Sequence, residues 1–186
     1  MRNVLVVVSG PSGVGKGTIA SRLIEKNDQF SFSISCTTRK ARKGEKDGRE
    51  YFFITKEQFL DKIKNDGFLE YSEHFDNYYG TPKNYVVENL KNKSIVLDVD
   101  VNGGLNVKKA YPDAVLIMIL PPSIEELKQR LKKRNTETDK QIDLRLERLD
   151  YELSKKDLYD YSVVNDDLDL TVKKIEEIIE KEKNKN

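Results

Sequence analysis

Residues 9–18 read SGPSGVGKGT and stand directly behind the apolar run Val4-Leu5-Val6-Val7-Val8. An unbroken run of β-branched residues and leucine suits a strand covered on both faces, as in parallel sheets. Beyond the glycines, Ile19, Leu23 and Ile24 recur at helical spacing, with Arg22, Glu25 and Lys26 on the other side. The stretch therefore predicts strand, glycine-rich turn and helix in immediate succession. Gly10, four intervening residues, Gly15 and Lys16 match a loop that cradles phosphate. A polyphosphate must come within hydrogen-bonding reach of several backbone N–H groups, and side chains would obstruct it. Glycine leaves that approach open and permits the turns. The helix that starts near Lys16 adds the partial positive charge of its N-terminus, and Lys16 brings a full charge. On this reading Gly10, Pro11, Ser12, Gly13, Val14, Gly15, Lys16, Gly17 and Thr18 hold the phosphates of a nucleotide. The usual pattern places Ser or Thr directly after the lysine, with its hydroxyl on magnesium; here Gly17 stands there and Thr18 follows. The ion is then expected on phosphates, water and carboxylates.

The remaining composition points to one domain with an insertion. At 186 residues the chain is long enough to bury a sizeable core. Lys+Arg number 33 against 32 Asp+Glu, a net charge of +1. That balance predicts no global pull toward nucleic acid or an anionic membrane, so anion recognition has to be local. No apolar stretch reaches the ~18 residues of a membrane span, and the N-terminal apolar run is too short for a signal-peptide core. The single cysteine, Cys36, fits a reducing cytoplasm.

Residues 94–99, 114–120 and 161–164 are further candidates for buried strands. Pro121 and Pro122 stop the third strand, and Ser123 with Glu126 forms a capping box for a helix faced by Ile124, Leu127 and Leu131. Asn135 can end that helix in the left-handed conformation. Thr138 and Gln141 repeat the capping signal ahead of Ile142, Leu146, Leu149 and Leu153. A last helix carries Val172, Ile175, Ile178 and Ile179 and is expected to fray in the tail EKEKNKN. Strands alternating with helices imply an α/β fold around a parallel sheet with right-handed crossovers. Residues 36–90 break the alternation. There 49–55 and 68–79 are expected as short antiparallel strands around a helix capped by Thr55 and Gln58, with Phe59, Leu60 and Ile63 inside. Asp98 ends the LDVD strand, where carboxylates border the ligand crevice of parallel sheets, and is a candidate to hold magnesium through water. Asp100 faces the same side if the strand continues.

The 36–90 segment carries the more specific signals. Ser35-Cys36-Thr37-Thr38-Arg39-Lys40-Ala41-Arg42 presents hydroxyls and then two arginines; Gly44-Glu45, Gly48, Glu50-Tyr51-Phe52, Glu70 and Asn77-Tyr78-Tyr79-Gly80-Thr81 follow. With the phosphate loop, LDVD and VVNDD, this order and spacing resembles the guanylate kinases over nearly the whole chain. The resemblance implies a P-loop kinase core at 1–35, 91–128 and 150–186, a small mixed α+β insertion for the nucleoside monophosphate at 36–90, and a helical lid at 129–149. It implies transfer of the ATP γ-phosphoryl group to GMP, and to dGMP, with Mg2+ accompanying ATP. Arg39, Arg42, Tyr51 and Tyr79 would then hold the GMP phosphate. Glu70 and Asp100 would accept from the guanine N1–H and amino group, with Ser35 and Thr81 completing the base contacts. Arg130, Arg134 and Arg145 would descend on ATP, Asn165 would approach its adenine, and Lys16, Arg39, Arg134 and Arg145 would serve the chemistry.

The chemistry of the residue types agrees. A carboxylate pairs with guanine's adjacent donors, whereas adenine offers an unprotonated N1 that would leave it unpaired. Arginine matches phosphate by its fork, and cations near the transferring group stabilise the charge that builds there. Ala41 stands where the family often has proline, Asn135 where glycine often follows the lid arginine, and Asn102 where glutamine is frequent; none of these removes a charged functional group. Cys36 and the tyrosines other than Tyr51 and Tyr79 are expected in packing, and His74 on a surface strand or hairpin. Two other readings compete: a non-catalytic interaction module of the same fold, against which the intact Lys16 argues, and a kinase for another phosphorylated acceptor, against which Glu70 and Asp100 argue. The expected partners are ATP and GMP, in a monomer or homo-oligomer.

Overall fold

β1 (Leu5–Ser9) is buried along its whole length, and the fold is assembled around it. In the computed structural model, which describes residues 2–74, 76–133 and 147–185, it is the middle of a five-stranded sheet. β7 (Ser94–Asp98) and then β2 (Phe30–Phe32) lie on one side, and β8 (Val115–Leu120) and then β9 (Tyr161–Val164) on the other. Every pairing is parallel, with Val6 opposite both Val96 and Val115. Alternate side chains of the central strand enter different cores. Val4, Val6 and Val8 join Ile19 and Leu23 of α1 (Lys16–Lys26) and Val172, Ile175 and Ile179 of the C-terminal helix Leu168–Lys183. Leu5 and Val7 meet Val101 and Val107 of α4 (Val101–Ala110). Both faces are dry, so the strand carries no polar alternation. After β1 the chain turns outward to β2, and after β7 it crosses to β8. The carboxyl ends of β1 and β7 flank that reversal, where parallel sheets bind ligands. No helix among the described residues is long and apolar enough to cross a membrane.

The expectations for the core need correction at four points. β2 was not expected: it is a three-residue edge strand with Phe30 buried and Phe32 exposed, too short to set a pattern. β7 does not continue to Asp100. The chain turns after Asp98, and Asp100 becomes the N-cap of α4, its Oδ1 accepting the Gly103 N–H at 2.7 Å. The tail does not fray at Glu180. The helix runs to Lys183, whose ammonium donates to Gln29 at 2.8 Å, and Glu182 is buried against Tyr161. At α5 (Ile124–Lys133), Ser123 Oγ accepts the Glu126 N–H at 3.0 Å, but the Glu126 carboxylate pairs with Arg130 at 3.0 Å and not with the helix start. The expected cap and stop at Asn135, Thr138 and Gln141, and the face at Ile142 and Leu146, lie outside the described residues.

A second, four-stranded sheet is ordered β4 (Phe52–Phe53), β3 (Cys36–Thr37), β6 (Asn77–Pro82), β5 (Phe68–His74). The expected strand at 49–55 shrinks to two residues and pairs parallel to β3, not antiparallel. Side chains from the approach to it take up backbone donors: Asp47 accepts the N–H of Phe53 in β4 at 2.8 Å, and Glu50 accepts the Lys46 N–H at 2.7 Å. The expected 68–79 strand is two antiparallel strands, broken where Asp76 takes a φ of 62°. Between β4 and β5, α2 (Lys56–Lys64) begins with the full Thr55–Gln58 capping box. Phe59 is its only fully buried side chain, Ile63 is partly buried, and Leu60 faces solvent. Phe59 stacks on Phe68 at 4.4 Å and on Tyr78 at 5.3 Å between ring centres. A Cβ at Gly80 would stand 2.9 Å from Phe59 Cζ, so the glycine of NYYGT is a packing requirement. α3 (Lys83–Leu90) returns the chain to the core sheet. Because this small core is centred on Phe59, Phe59→Ala should destabilise the protein by about 3–5 kcal/mol. Chemical denaturation reads that loss as a lowered midpoint.

Candidate active site

The phosphate loop is held open by groups from distant parts of the chain. Gly10, Gly13 and Gly15 have φ of 147°, 87° and 100°. Gly15 is the residue before α1, and a Cβ there would stand 2.7 Å from Asn165 Nδ2 besides straining the backbone. That same Nδ2 donates to the Val14 carbonyl at 2.8 Å, and the Val14 side chain is fully buried. Asn165 is itself fixed, its N–H on the Leu120 carbonyl at 2.9 Å and its carbonyl accepting from Arg130 at 3.0 Å. Asn165, expected near the adenine, and Arg130, expected on ATP, therefore make their described contacts with each other, with Leu120, with Glu126 and with the loop. Lys16 lies across the loop, its Nζ 2.8 Å from the Gly10 carbonyl oxygen and 3.2 Å from that of Pro11.

A cleft of about 640 Å³ opens in front of the loop, lined by Gly10, Ser12, Lys16, Glu73, Asp98, Asp100 and Arg148, among others. Burial pushes the Asp98 carboxyl above its ordinary range, and the Lys16 charge pulls it part of the way back. A Cβ on Gly17 would stand 3.2 Å from Asp98 Oδ2, so glycine lets this carboxylate lie close against the helix start. Among the described residues no three His, Cys, Asp or Glu side chains cluster as a metal site.

Glu70 and Asp100 converge although 30 residues separate them in the chain. A Cβ on Gly103 would be 3.3 Å from Asp100 Oδ1 and 3.4 Å from Glu70 Oε2. Glu70 accepts from the buried Thr81 hydroxyl at 2.6 Å. Burial raises the Glu70 carboxyl above its ordinary range, the Thr81 hydroxyl pulls it back, and the Asp100 carboxylate adds to the rise. Asp100 is positioned from beneath: Ser9 Oγ donates to its carbonyl at 3.2 Å, and the buried Tyr159 hydroxyl donates to the Val101 carbonyl at 2.9 Å. Burial lifts the Tyr159 hydroxyl to about 12, so it remains a donor. Ser35 and Thr81 line an adjoining cavity of about 310 Å³ together with Ser33 and Tyr51.

Arg39 is clamped end-on by Glu45, with N–O distances of 2.8 and 3.0 Å, and also donates to the Lys40 carbonyl at 2.9 Å. The Arg42 N–H reaches the same carboxylate at 2.7 Å. The Arg39 guanidinium and that N–H hold the Glu45 carboxyl down at about 2. The guanidinium lies 5.3 Å from the Tyr51 ring centre, and Tyr51 meets Tyr79 edge-on at 6.0 Å. Arg39 Nε and Ser33 Oγ are the buried side-chain polar atoms without a hydrogen-bond partner among the described residues. The Arg42 side chain is exposed. Arg134 and Arg145 lie outside the described residues. Cys36 is packed against Phe59 and Phe68, and His74 is exposed at the end of β5, both as expected. Sequence reasoning gave no role to Glu45 or to Ser9 and Tyr159. An acid three residues beyond Arg42 is a readable signal, whereas Ser9 and Tyr159 carried none.

A profile of the guanylate kinase family matches residues 2–182. The chain is 49% identical over 183 residues to the guanylate kinase of Caldanaerobacter subterraneus subsp. tengcongensis, covering 98% of this chain and 89% of that one. It is 50% identical over 183 residues to the guanylate kinase of Clostridium perfringens strain 13, covering 98% and 85%. The crystal structure of guanylate kinase from Anaplasma phagocytophilum superimposes with a TM-score of 0.75 at 35% identity, covering all 100% of this chain and 88% of that one. Shikimate kinase from Bacteroides thetaiotaomicron, at 15% identity, 95% and 98% coverage and a TM-score of 0.56, shares the fold alone. With a five-stranded parallel core, a mixed-sheet insertion and a phosphate loop to match, the chain belongs to the guanylate kinase family of ATP-dependent phosphotransferases.

Proposed function

We propose that this protein transfers the γ-phosphoryl group of ATP to GMP, and to dGMP, giving ADP and GDP in the cytoplasm. The observation that carries the choice of acceptor is the Glu70–Asp100 pair, two carboxylates drawn together around Gly103. Two like charges at a partly dry site are unfavourable unless donors face them. The guanine N1–H and amino group are such donors, and adenine's N1 is not. Ser35 and Thr81 border the base. Arg39, Arg42, Tyr51 and Tyr79 hold the GMP phosphate, which supplies the acceptor that the buried Arg39 Nε–H lacks.

On the donor side, the backbone N–H groups of residues 10–18 and Lys16 take the ATP phosphates. Arg130 and Asn165 border the adenine side, and Arg134 and Arg145 descend from the lid. We read residues 1–35, 91–128 and 150–186 as the core, 36–90 as the GMP-binding insertion and 129–149 as the lid. The arginines of insertion and lid are far apart in the chain. Closure over both nucleotides brings them together and excludes water that would otherwise hydrolyse ATP. The GMP oxygen that attacks is already anionic, so no general base is assigned. Asp98 fits a role toward Mg2+: it lines the cleft with its carboxylate set against the helix start, and among the described residues too few other ligands cluster near it for the protein to hold the ion alone. The ion would be held chiefly by phosphate oxygens and water, with Asp98 reached through its hydration shell, and would neutralise charge on the ATP phosphates.

ADP release measured with GMP, dGMP, AMP and dTMP in parallel should show turnover with the two guanine nucleotides well above the others. Preference for AMP, or no turnover with any acceptor, would contradict the proposal. Lys16→Ala should lower kcat about 100-fold or more while leaving the unfolding midpoint in place. A third expectation concerns pH. GMP needs Glu70 ionised, and protonation replaces an acceptor by a donor facing guanine N1–H. Because the Glu70 carboxyl is raised, KM for GMP should start to climb on acidification at a higher pH than an ordinary carboxylate would give. Glu70→Gln should raise that KM about tenfold or more and flatten its acid dependence.

A further inference from the structure

Arg148 stands at the edge of the phosphate cleft without an assigned role. It lines the same cleft of about 640 Å³ as Gly10, Ser12 and Lys16, and also a neighbouring cavity of about 400 Å³ with His74, Asn102 and Tyr151. Among the described residues its guanidinium makes no ion pair and no hydrogen bond, and it is exposed to the cleft solvent. An exposed arginine is ordinarily a solvated charge worth little. Two features set this one apart.

The first is anchorage. The next residue, Leu149, is buried in the main core with Leu127 and Leu131. The Arg148 carbonyl accepts the Glu152 N–H at 2.9 Å, opening the short helix Leu149–Ser154. Tyr151 in that helix donates to Asn102 at 3.0 Å, tying it to α4 just beyond Asp100. The stem of Arg148 is thereby anchored where the segment read as the lid rejoins the core, on the wall of the cleft it shares with the phosphate loop. The second feature is charge. Among the described residues the cleft wall carries Glu73, Asp98, Asp100 and Glu152 against Lys16 and Arg148. Phosphates of two nucleotides entering so acidic a cleft need cations on its wall, and Arg148 is the one that the described part of the chain adds to Lys16.

We propose that Arg148 is a catalytic residue that contacts the phosphoryl group in transit, a deepening that rests on the ATP:GMP phosphotransfer reading. In the step, the bond from the γ-phosphorus to the β–γ bridging oxygen breaks and its electron pair stays on ADP. A new bond forms from that phosphorus to an oxygen of the GMP phosphate. Negative charge is spread over the transferring oxygens at that moment, and the Arg148 fork stabilises it more than it stabilises either bound substrate.

The test compares wild type with Arg148→Ala and Arg148→Lys in steady-state kinetics with ATP and GMP. Calorimetry alongside it measures affinity for ADP alone and for ADP with aluminium fluoride and GMP, which mimics the transferring phosphoryl group. The expected result is a kcat about 30-fold lower in the alanine variant, with both KM values within about threefold of wild type. Lysine should recover part of the rate. The alanine variant's affinity for the fluoride complex should fall by a similar factor, with ADP affinity and unfolding temperature unchanged. Retention of kcat and of analogue affinity within about twofold would overturn the proposal, as would a rise in KM with kcat intact. Equal loss of rate in both variants together with a lowered unfolding temperature would mark a structural role and overturn it too. Absent wild-type turnover with GMP would overturn the acceptor reading and this proposal together, whereas wild-type turnover with an unaffected alanine variant would overturn this proposal alone.

Discussion

The hydrogen bond from Asn165 to the Val14 carbonyl, 2.8 Å long and buried, fixes the shape on which the rest of the site depends. The loop turns one of its own N–H groups inward, Val14 onto the Pro11 carbonyl at 3.3 Å, and a loop rich in glycine has every entropic reason to collapse or wander. Here it is held from the far end of the sequence. Asn165 follows the last core strand, and Arg130 holds Asn165 from α5. Val14 plugs the core between Leu127, Leu131 and the sheet. The parallel sheet makes this possible because it brings the carboxyl ends of β1, β7, β8 and β9 to one edge of the molecule. Residues separated by 151 positions thus meet at hydrogen-bond distance.

The electrostatics follow a division of labour. The two carboxylates that converge at Gly103 are held by neutral donors: Glu70 by the Thr81 hydroxyl, and Asp100 by the Gly103 N–H. The carboxylate that merely holds an arginine, Glu45, takes a charged fork and a backbone N–H and is driven far into its ionised form. Burial leaves Glu70 and Asp98 with the opposite tendency. Such groups gain most from a ligand that brings what they lack, hydrogen-bond donors at Glu70 and positive charge at Asp98.

The fold was legible where burial is two-sided and the chain punctuates itself. The Val4–Val8 run, the glycine turn, the Thr55–Gln58 box and the 161–164 strand could all be placed from residues alone. What escaped was set by tertiary contacts. β2 exists because β7 offers it an edge, and β4 joins β3 in parallel through the Phe52 N–H on the Ser35 carbonyl and the Ile54 N–H on that of Thr37. Asp100 was read on an extended strand, whereas its short side chain caps α4, which aims it by a different route. In the site, the sequence could single out charged residues one by one, and the structure brings Glu70 and Asp100 together around Gly103. Their supports were not: Glu45 serves Arg39, and Ser9 and Tyr159 serve the turn at Asp100, through contacts that no local spacing announces.

The central claim is that bare main-chain amides and Lys16 at the end of β1 grip the ATP phosphates while Glu70 and Asp100 across the cleft pair with the hydrogens of guanine. A crystal structure with GMP and a non-hydrolysable ATP analogue tests it most directly. The triphosphate should lie on the N–H groups of residues 13–18 with Lys16 swung from the Gly10 carbonyl onto it, and guanine N1 and N2 within hydrogen-bond reach of Glu70 and Asp100. A polyphosphate seated elsewhere, or a guanine edge turned away from Glu70, would contradict it.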